Sequence, residues 1–395
     1  MTHESQFFLD HLGQTSPFPF LIEVDRAEGA YIFDKQGKAY LDMIAGVAVN
    51  NIGHRHPKVI AALKTQLDKH LHVMVYGEFI QDAQQQLVRE LLTVLPVNLN
   101  GVYVVNSGTE AIEAALKLAK RVTGRTELVA FKGSYHGSTH GAMSVSANEV
   151  KKIAFRPLLP DVRFLPHNEI AALEQITTRT AGVIIETIQG DAGVRRPSAA
   201  FMHALRARCT AVGALLIFDE IQCGMGRAGT MFAFEQFDVV PDILTLGKAL
   251  GGGMPIGALV AAQQHLKTFT HAPMLGHITT FGGHPMVCAA AAATVQVLRT
   301  EIDWSLLEQR AAAFAAQITA HPAVQNHRRV GAMFAFDLSS AEAVEKVVQY
   351  CLEQGLITFW FLSHPYSFRL SPPLNLAQKD WDLAAKVIIS ALDRL

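Results

Sequence analysis

Three short apolar runs of the chain lead directly into residues whose side chains could do chemistry. The run VYVV leads into Asn106-Ser107-Gly108-Thr109, LLIF leads into Asp219, and ILTL leads into Gly247-Lys248. Hydroxyls and free N–H groups bind anions, a carboxylate holds a cation, and an amine can attack an aldehyde carbon. If the three runs are strands of one parallel sheet, their carboxyl ends bring these groups to one edge.

The segment around Ser107 has two interpretations. A helical pattern over Glu110–Val122 follows it directly, so residues 106–109 are predicted to form the turn between a strand and a helix. The free N–H groups and the positive dipole end of a helix attract an anion, and Ser107 and Thr109 add hydroxyl donors. Serine and threonine also cap helices without any ligand. The pattern therefore predicts an anion site or an ordinary helix cap, and the two are compatible.

Asp219 ends a run that reads as a buried strand, where an unpaired carboxylate is costly. A protonated ring nitrogen of a cofactor would be a suitable partner, and the carboxylate would keep that nitrogen protonated. An arginine partner or a helix-capping role explains Asp219 as well.

Lys248 stands directly after a predicted buried strand and before Ala-Leu-Gly-Gly-Gly. Lysine is seldom buried, and partial burial would lower its pKa and supply the neutral amine that attacks an aldehyde. The glycines would let the backbone approach a bulky ligand. A lysine whose stem is buried and whose amine reaches solvent is the alternative.

The segment Gly224–Gly229 matches the dinucleotide motif G-x-G-x-x-G. That motif must follow a strand directly and open a helix. Here four residues separate it from the strand LLIFD, and the segment TMFAFEQF that follows it is not a long helix. The sequence therefore argues against a nicotinamide site.

The elements that position these residues alternate between short apolar runs and longer amphipathic segments. Further strands are predicted over Leu128–Phe131, Gly182–Glu186 and Ala258–Ala261, and YIFDKQGKAYLDM predicts a hairpin that turns at Gln36-Gly37. Helices are predicted over Leu306–Ile318 and Ala341–Gln354. This alternation predicts an α/β fold with a mostly parallel sheet, and a smaller domain built from both termini.

The composition excludes several classes of protein. The 34 basic residues nearly balance the 35 acidic ones, so no nucleic-acid partner is expected. No apolar stretch approaches the roughly 20 residues that span a bilayer, and the first residues lack the pattern of a secretory signal. The four cysteines have no metal-ligand spacing, so we expect free thiols, a cytoplasmic location and no metal.

Taken together, these segments resemble the class III (ω) aminotransferases, which are fold-type I pyridoxal-phosphate enzymes and include the acetylornithine, ornithine and 4-aminobutyrate aminotransferases. The resemblance runs from Gly53-His54-Arg55-His56-Pro57 to Arg369-Leu370-Ser371-Pro372-Pro373 and includes Tyr135-His136-Gly137, Ile188-Gln189-Gly190 and Thr280-Phe281-Gly282-Gly283. It implies a seven-stranded sheet in a large domain over residues 51–272. It also implies a small α+β domain formed by residues 1–50 and 273–395.

The resemblance implies pyridoxal 5′-phosphate as the cofactor and assigns its ligands position by position. Lys248 would form the Schiff base, Asp219 would face the pyridine nitrogen, and Gln222 would lie near the ring hydroxyl. The phosphate would be held by Ser107, Gly108 and Thr109, and by Thr280 of a neighbouring subunit, which implies a homodimer with shared sites. Tyr135 would stack on the ring, and His136 is expected to be structural.

The substrate residues implied by the resemblance are Arg369, Glu186, Tyr76 and Ser138, and Glu186 is also expected to contact the cofactor. Arg369 would bind a substrate carboxylate through two parallel hydrogen bonds. Two positions depart from the family pattern. Asp191 stands where many relatives have a glutamate that pairs with the arginine and gates it, and Ser138 stands where relatives that act on acetylornithine or 4-aminobutyrate have an arginine.

The implied reaction is a ping-pong transfer of an amino group from an amino acid or ω-amine donor to a keto acid such as 2-oxoglutarate. Lys248 would also carry the proton as general base and acid. An aminomutase or racemase on the same scaffold is the first alternative, and turnover without an added keto acid would favour it. A non-enzymatic carrier is the second, and absence of an absorbance near 420 nm would favour it.

Overall fold

The computed structural model of the protein describes residues 2–395. Its strands are β1 (Val24–Glu28), β2 (Tyr31–Asp34), β3 (Ala39–Asp42), β4 (Gly101–Val105), β5 (Glu127–Phe131), β6 (Val162–Leu165), β7 (Thr180–Glu186), β8 (Leu215–Asp219), β9 (Ile243–Gly247), β10 (Gly257–Ala261), β11 (Asn326–Val330), β12 (Met333–Asp337), β13 (Leu356–Ile357), β14 (Phe359–Trp360) and β15 (Ser367–Leu370).

The α-helices are α1 (His3–His11), α2 (Ala45–Ala48), α3 (Pro57–Leu67), α4 (Asp82–Leu92), α5 (Gly108–Thr123), α6 (His140–Val145), α7 (Glu149–Lys152), α8 (Ala199–Val212), α9 (Gln263–Leu266), α10 (Pro285–Glu301), α11 (Trp304–Thr319), α12 (Ala341–Glu353) and α13 (Gln378–Leu392). All four residues of α2 have positive φ angles, so α2 is a single left-handed turn. None of these helices is both long and apolar enough to cross a membrane.

A seven-stranded sheet with the order β4-β10-β9-β8-β7-β5-β6 forms the centre of the molecule. Only β10 runs against its neighbours, and the pairs from β9 to β6 are parallel. Every residue of β5, β7, β9 and β10 is buried, as expected for a sheet covered on both faces. The predicted α/β fold with a mostly parallel seven-stranded sheet is confirmed.

The carboxyl ends of β8 and β9 lie side by side, because Asp219 pairs with Thr245 and β9 ends two residues later at Gly247. Strand β7 ends in the same register, with Glu186 opposite Asp219. Strand β4 leads into α5 through Asn106 and Ser107. The sheet therefore brings Glu186, Asp219 and Lys248 to one edge, beside the start of α5.

Two four-stranded sheets are built from the terminal parts of the chain. One has the order β1-β2-β3-β13 and contains the predicted hairpin, with β2 and β3 antiparallel. The other has the order β11-β12-β15-β14 and carries Arg369 on β15. The domain boundaries at residues 50 and 272 stay a prediction.

Candidate active site

A cavity of about 240 Å³ opens at the carboxyl ends of the central strands. Eight of the residues that the sequence nominated line it: Gly108, Thr109, Tyr135, Ser138, Glu186, Asp219, Gln222 and Lys248. Five further lining residues are His136, Gly137, Ile188, Ile221 and Cys223. Acidic, basic and hydroxyl groups thus share a cavity whose walls also contain the apolar side chains of Ile188 and Ile221.

The start of α5 forms one wall. Ser107 caps this helix, since its Oγ accepts a hydrogen bond of 3.3 Å from the Glu110 N–H, and Ser107 itself does not line the cavity. Gly108 does line it, and a Cβ at this position would lie 2.8 Å from Ile221 Cγ2. The helix-cap interpretation of Ser107 is therefore correct, while the N–H groups of Gly108 and Thr109 at the cavity wall suit an anion.

Thr109 belongs to a hydroxyl chain at the same wall. Its Oγ1 lies 2.7 Å from Thr139 Oγ1, and the Thr139 hydroxyl donates to Glu113 Oε1 at 2.6 Å. The Glu113 carboxylate also accepts the N–H groups of Gly141 and Ala142. This chain fixes the Thr109 side chain at the edge of the cavity.

Asp219 is buried and already has protein partners. Its Oδ2 lies 2.6 Å from His136 Nδ1, and its Oδ1 accepts the Ile221 N–H at 3.0 Å. The other ring nitrogen of His136, Nε2, is buried without a hydrogen-bond partner among residues 2–395. The sequence predicted a structural role for His136, and the hydrogen bond agrees with such a role, since this imidazole orients the Asp219 carboxylate.

Lys248 begins the turn after β9 and has a φ angle of 43°, which is a strained left-handed conformation for lysine. Its side chain lines the cavity with Asp219 and Glu186. Burial lowers the pKa of the Lys248 amine, while the Asp219 carboxylate opposes that shift. A larger share of neutral amine is therefore present near neutral pH than for a lysine in water.

Glu186 connects two loops of the site. Its Oε1 accepts the Tyr135 N–H at 2.8 Å, and its Oε2 accepts the Gly190 N–H at 2.9 Å. Burial raises the pKa of Glu186 to about 7, and the nearby His136 and the two backbone N–H groups oppose that rise. Glu186 therefore holds the loop that carries Tyr135 against the loop that leads to Asp191.

The rim of the cavity carries Tyr135 and Ser138. The Tyr135 hydroxyl lies 3.2 Å from Ser138 Oγ, and the Tyr135 ring is partly exposed. Lys151 Nζ lies 6.0 Å from the centre of that ring. These residues form a polar rim at the cavity.

Arg369 lines a second, narrower cavity, and Gln222 lines both cavities. The Arg369 side chain is buried, and its Cζ lies 5.9 Å from the ring centre of Phe359 and 5.6 Å from that of Phe361. Burial lowers the pKa of Arg369, and Asp191 opposes that shift. A buried guanidinium between aromatic rings next to the main cavity suits a carboxylate ligand.

Three nominated residues lie outside both cavities: Ser107, which caps α5, and Thr280 and Tyr76. Thr280 is exposed on the segment that precedes α10, and Tyr76 is about one-third exposed on the segment between α3 and α4. Their predicted contacts with cofactor and substrate are not formed within the single chain. The segment Gly224–Gly229 forms turns rather than a strand-to-helix connection, as predicted, and its Arg227 is fully buried.

Five cavity residues were not found from the sequence as site residues: His136, Gly137, Ile188, Ile221 and Cys223. His136 and Ile188 stand within the segments that carry the family resemblance, which was the available signal. Ile221 and Cys223 flank Gln222 and look like ordinary apolar positions in the sequence. Residues 2–395 contain no cluster of three or more His, Cys, Asp or Glu side chains with the geometry of a metal site.

The site fits a planar, anionic group that carries an aldehyde. An amine with lowered pKa lies in the same cavity as a buried carboxylate, and the N-terminus of α5 with Gly108 and Thr109 supplies anion donors. Ile188 and Ile221 provide apolar surface for a flat ring. Amine, carboxylate and helix N-terminus are the three partners that pyridoxal phosphate requires.

Comparisons with known proteins agree with this geometry. The family model for class-III aminotransferases matches residues 13–392. An acetylornithine aminotransferase of Archaeoglobus fulgidus is 35% identical over 93% of this chain and 95% of its own length. A putrescine aminotransferase of Pectobacterium atrosepticum is 37% identical over 92% of this chain and 80% of its own length. The crystal structure of the ornithine aminotransferase of Toxoplasma gondii has a TM-score of 0.91 and 27% identity, and the match covers 100% of this chain and 96% of that one.

Proposed function

Because this chain belongs to the class-III aminotransferase family, we propose a division of the reaction among the residues of its cavity. The protein is a pyridoxal-phosphate-dependent aminotransferase that moves an amino group from an amino acid or ω-amine donor to a keto acid. The comparisons do not favour an aminomutase or racemase, since the relatives are named as aminotransferases. We propose 2-oxoglutarate as the acceptor.

Pyridoxal phosphate supplies an aldehyde that binds amines and a ring that takes up the negative charge left when a proton leaves the neighbouring carbon. We propose that Ser107, Gly108 and Thr109 hold the phosphate. Gly108 and Thr109 would donate their backbone N–H groups, and Ser107, whose Oγ caps the helix, would donate its hydroxyl proton. Tyr135 covers one ring face, and Gln222 binds the ring hydroxyl. The positions of Gly108, Thr109, Tyr135 and Gln222 in the cavity wall support their roles, and the position of Ser107 directly before Gly108 supports its role.

Lys248 would hold the cofactor through Nζ at its aldehyde carbon until a donor amine takes that place. Its Nζ would then be free to accept a proton from the donor carbon and to return it as general acid. The lowered pKa of Lys248 supports both tasks, because only the neutral amine is a nucleophile and a base.

Asp219 holds the ring nitrogen in its protonated form, and His136 holds Asp219 in place. The carboxylate has one oxygen on His136 and one on the Ile221 N–H, which fixes its plane. Each carboxylate oxygen has a second lone pair for the ring nitrogen. A protonated ring withdraws charge more strongly, so Asp219 lowers the barrier of the proton transfer that Lys248 performs.

Arg369 binds the carboxylate of donor or acceptor, and Tyr76, Ser138 and Glu186 complete the substrate pocket. The buried guanidinium beside the cavity supports the first assignment. Ser138 at the rim offers a small neutral hydroxyl rather than a second cation. We therefore expect donors that carry one carboxylate to be preferred over donors that carry two.

We propose that the protein is a homodimer whose sites are shared through Thr280. Exposed apolar side chains on both sides of Thr280 support a buried interface at this face, among them Ile278 and Phe281. Co-expression of Lys248→Ala with Thr280→Ala tests the sharing, since the mixed dimer has one site with both residues intact. We expect the mixture to be more active than either variant alone, and no gain over the better single variant would contradict the sharing.

We also propose that the enzyme works in the cytoplasm. All four cysteines, Cys209, Cys223, Cys288 and Cys351, are buried free thiols. Such thiols persist in a reducing compartment. Fractionation of the native cells tests this location.

The observation that carries the proposal is the presence of Lys248 and Asp219 in one cavity beside the start of α5. The test follows the cofactor absorbance of the purified holoenzyme while single amines are added. We expect at least one donor to convert the 420 nm species, and 2-oxoglutarate to restore it. Donor turnover that needs no keto acid, or an unchanged spectrum with all amines, would overturn the proposal.

A further inference from the structure

Asp191 is a buried carboxylate whose two oxygens are both occupied by one neighbouring segment. Oδ1 accepts the Leu362 N–H at 3.1 Å, and Oδ2 accepts the Ser363 hydroxyl at 2.6 Å. Lys151 Nζ lies 3.6 Å from Oδ2 and supplies the compensating positive charge. Asp191 is therefore fully partnered without a ligand.

Arg369 is not among these partners. No ion pair within 4 Å joins the two residues, and the Arg369 guanidinium takes part in no side-chain hydrogen bond within residues 2–395. A swing of Asp191 toward Arg369 would leave the Leu362 N–H and the Ser363 hydroxyl without their acceptor. The Asp191 carboxylate is thus held by Leu362 and Ser363, and the Arg369 guanidinium has no ion-pair partner among residues 2–395.

The segment that Asp191 holds also shapes the surroundings of Arg369. Phe361 directly precedes Leu362, lies 5.6 Å from the guanidinium and lines the same narrow cavity. Asn148 Nδ2 donates to Ser363 Oγ at 3.2 Å, so the segment is attached from a second side. Release of Leu362 and Ser363 would let Phe361 move away from Arg369.

We propose that Asp191 is a positioning residue that anchors residues 361–363 and thereby keeps Arg369 open to a carboxylate in both half-reactions. The inference rests on the proposed role of Arg369 as the carboxylate-binding residue. It narrows the substrate class, since the donor as well as the acceptor then places a carboxylate on Arg369. A donor without a carboxylate leaves this buried cation unpaired.

Three substitutions distinguish two possible roles of Asp191: an anchor of residues 361–363, or a mobile counterion of Arg369. Asp191→Ala removes both acceptors, Ser363→Ala removes only the Oδ2 partner, and Asp191→Asn removes the charge but keeps one acceptor and adds one donor. The asparagine can still accept the Leu362 N–H and donate to Ser363 Oγ. Asp382→Asn on the exposed face of α13 is the matched control.

The assay follows each half-reaction of the holoenzyme by stopped-flow absorbance, with a donor amino acid in one series and 2-oxoglutarate in the other. If Asp191 is an anchor, Asp191→Ala and Ser363→Ala raise the half-saturating concentration about tenfold in both series, in line with the loss of a hydrogen bond to a charged group. The limiting rates change little, and Asp191→Asn stays near the wild type.

The opposite pattern would overturn the anchor. A counterion that competes with the substrate predicts that Asp191→Asn and Asp191→Ala both tighten 2-oxoglutarate binding, while Ser363→Ala has no effect. If Asp191→Ala does not fold, Ser363→Ala still tests the anchor, because it removes only one hydrogen bond of Asp191. A wild-type protein that performs neither half-reaction would refute the aminotransferase proposal instead, so the two failures are distinguishable.

Discussion

Substitution of Asp219 by asparagine removes a single negative charge from the centre of the site and keeps its shape. Asp219 accepts two hydrogen bonds, from the Ile221 N–H and from His136 Nδ1. An amide has one acceptor oxygen, and the backbone N–H can only donate. The new oxygen therefore faces Ile221, and the new amide N–H₂ faces His136, which must accept at Nδ1 and hold its proton on Nε2.

The size of the effect follows from the interaction that the substitution removes, which is the one between the Asp219 charge and the protonated ring nitrogen of the cofactor. The side chains of His136 and Asp219 are 0% and 5% exposed, so water cannot replace the lost interaction. A hydrogen bond to a charged group is worth about 1.5–3 kcal/mol, and each 1.36 kcal/mol is a tenfold change in rate. We expect kcat/KM of Asp219→Asn to fall about 10- to 150-fold, with the fold retained.

The assay is steady-state transfer from the best donor to 2-oxoglutarate, with the thermal unfolding midpoint as the check on folding. Asp242→Asn is the matched control, since Asp242 also bonds β8 through the Leu216 N–H but at the opposite end of that strand. We expect the control to change stability rather than kcat/KM. A kcat/KM for Asp219→Asn within about twofold of the wild type would refute the role given to this charge.

Three further outcomes are expected. Arg369→Gln should raise the KM for 2-oxoglutarate about 10- to 100-fold, because the two charged N–H donors of the guanidinium are lost. An unchanged KM would exclude Arg369 from carboxylate binding. Gly108→Ala should weaken cofactor retention during dialysis, because its Cβ would meet the Ile221 side chain at 2.8 Å, and full retention would contradict that crowding. Because burial raises the pKa of Glu186 to about 7, the folded state keeps a proton on this carboxyl at pH values where the unfolded state has released it. The free energy of unfolding should therefore fall by about 2 kcal/mol as pH rises from 5 to 7. Glu186→Gln should reduce that slope in denaturant titrations, and equal slopes would show that Glu186 does not titrate in this range.

The central sheet could be predicted from the sequence because its strands are continuous apolar runs. Leu215–Asp219 has the predicted bounds, and Ile243–Gly247 extends the prediction by one residue. Helices Leu306–Ile318 and Ala341–Gln354 were predicted to within two residues at each end. In these segments local periodicity and tertiary burial agree.

The terminal sheets could not be predicted in the same way. Strands β13 and β14 have two residues each, and β11 reads NHRRV, which has no apolar alternation. They form because neighbouring strands supply their hydrogen bonds: β12 pairs with β11, β15 pairs with β14, and β3, which is distant in the chain, pairs with β13. Leu356 of β13 pairs with Leu41 of β3, for example.

In the site, too, the residues at strand and helix ends could be predicted, whereas the contacts between distant segments could not. Lys248, Asp219 and Gly108 follow strands or open a helix, so their position could be predicted from strand and helix ends. The partnership of Asp219 with His136 spans 83 residues and has no local signal. The anchoring of Ser363 by Asp191 spans 172 residues and depends on how the terminal sheet packs against the central one.

Reduction of the holoenzyme with borohydride, followed by peptide mass spectrometry, tests whether Lys248 carries the cofactor. We expect one reduced phosphopyridoxyl group per chain, on the peptide that contains Lys248, and none in Lys248→Ala. The folded Lys248→Ala variant should also lose turnover. A phosphopyridoxyl group on another lysine, or none on the wild-type protein, would contradict the account.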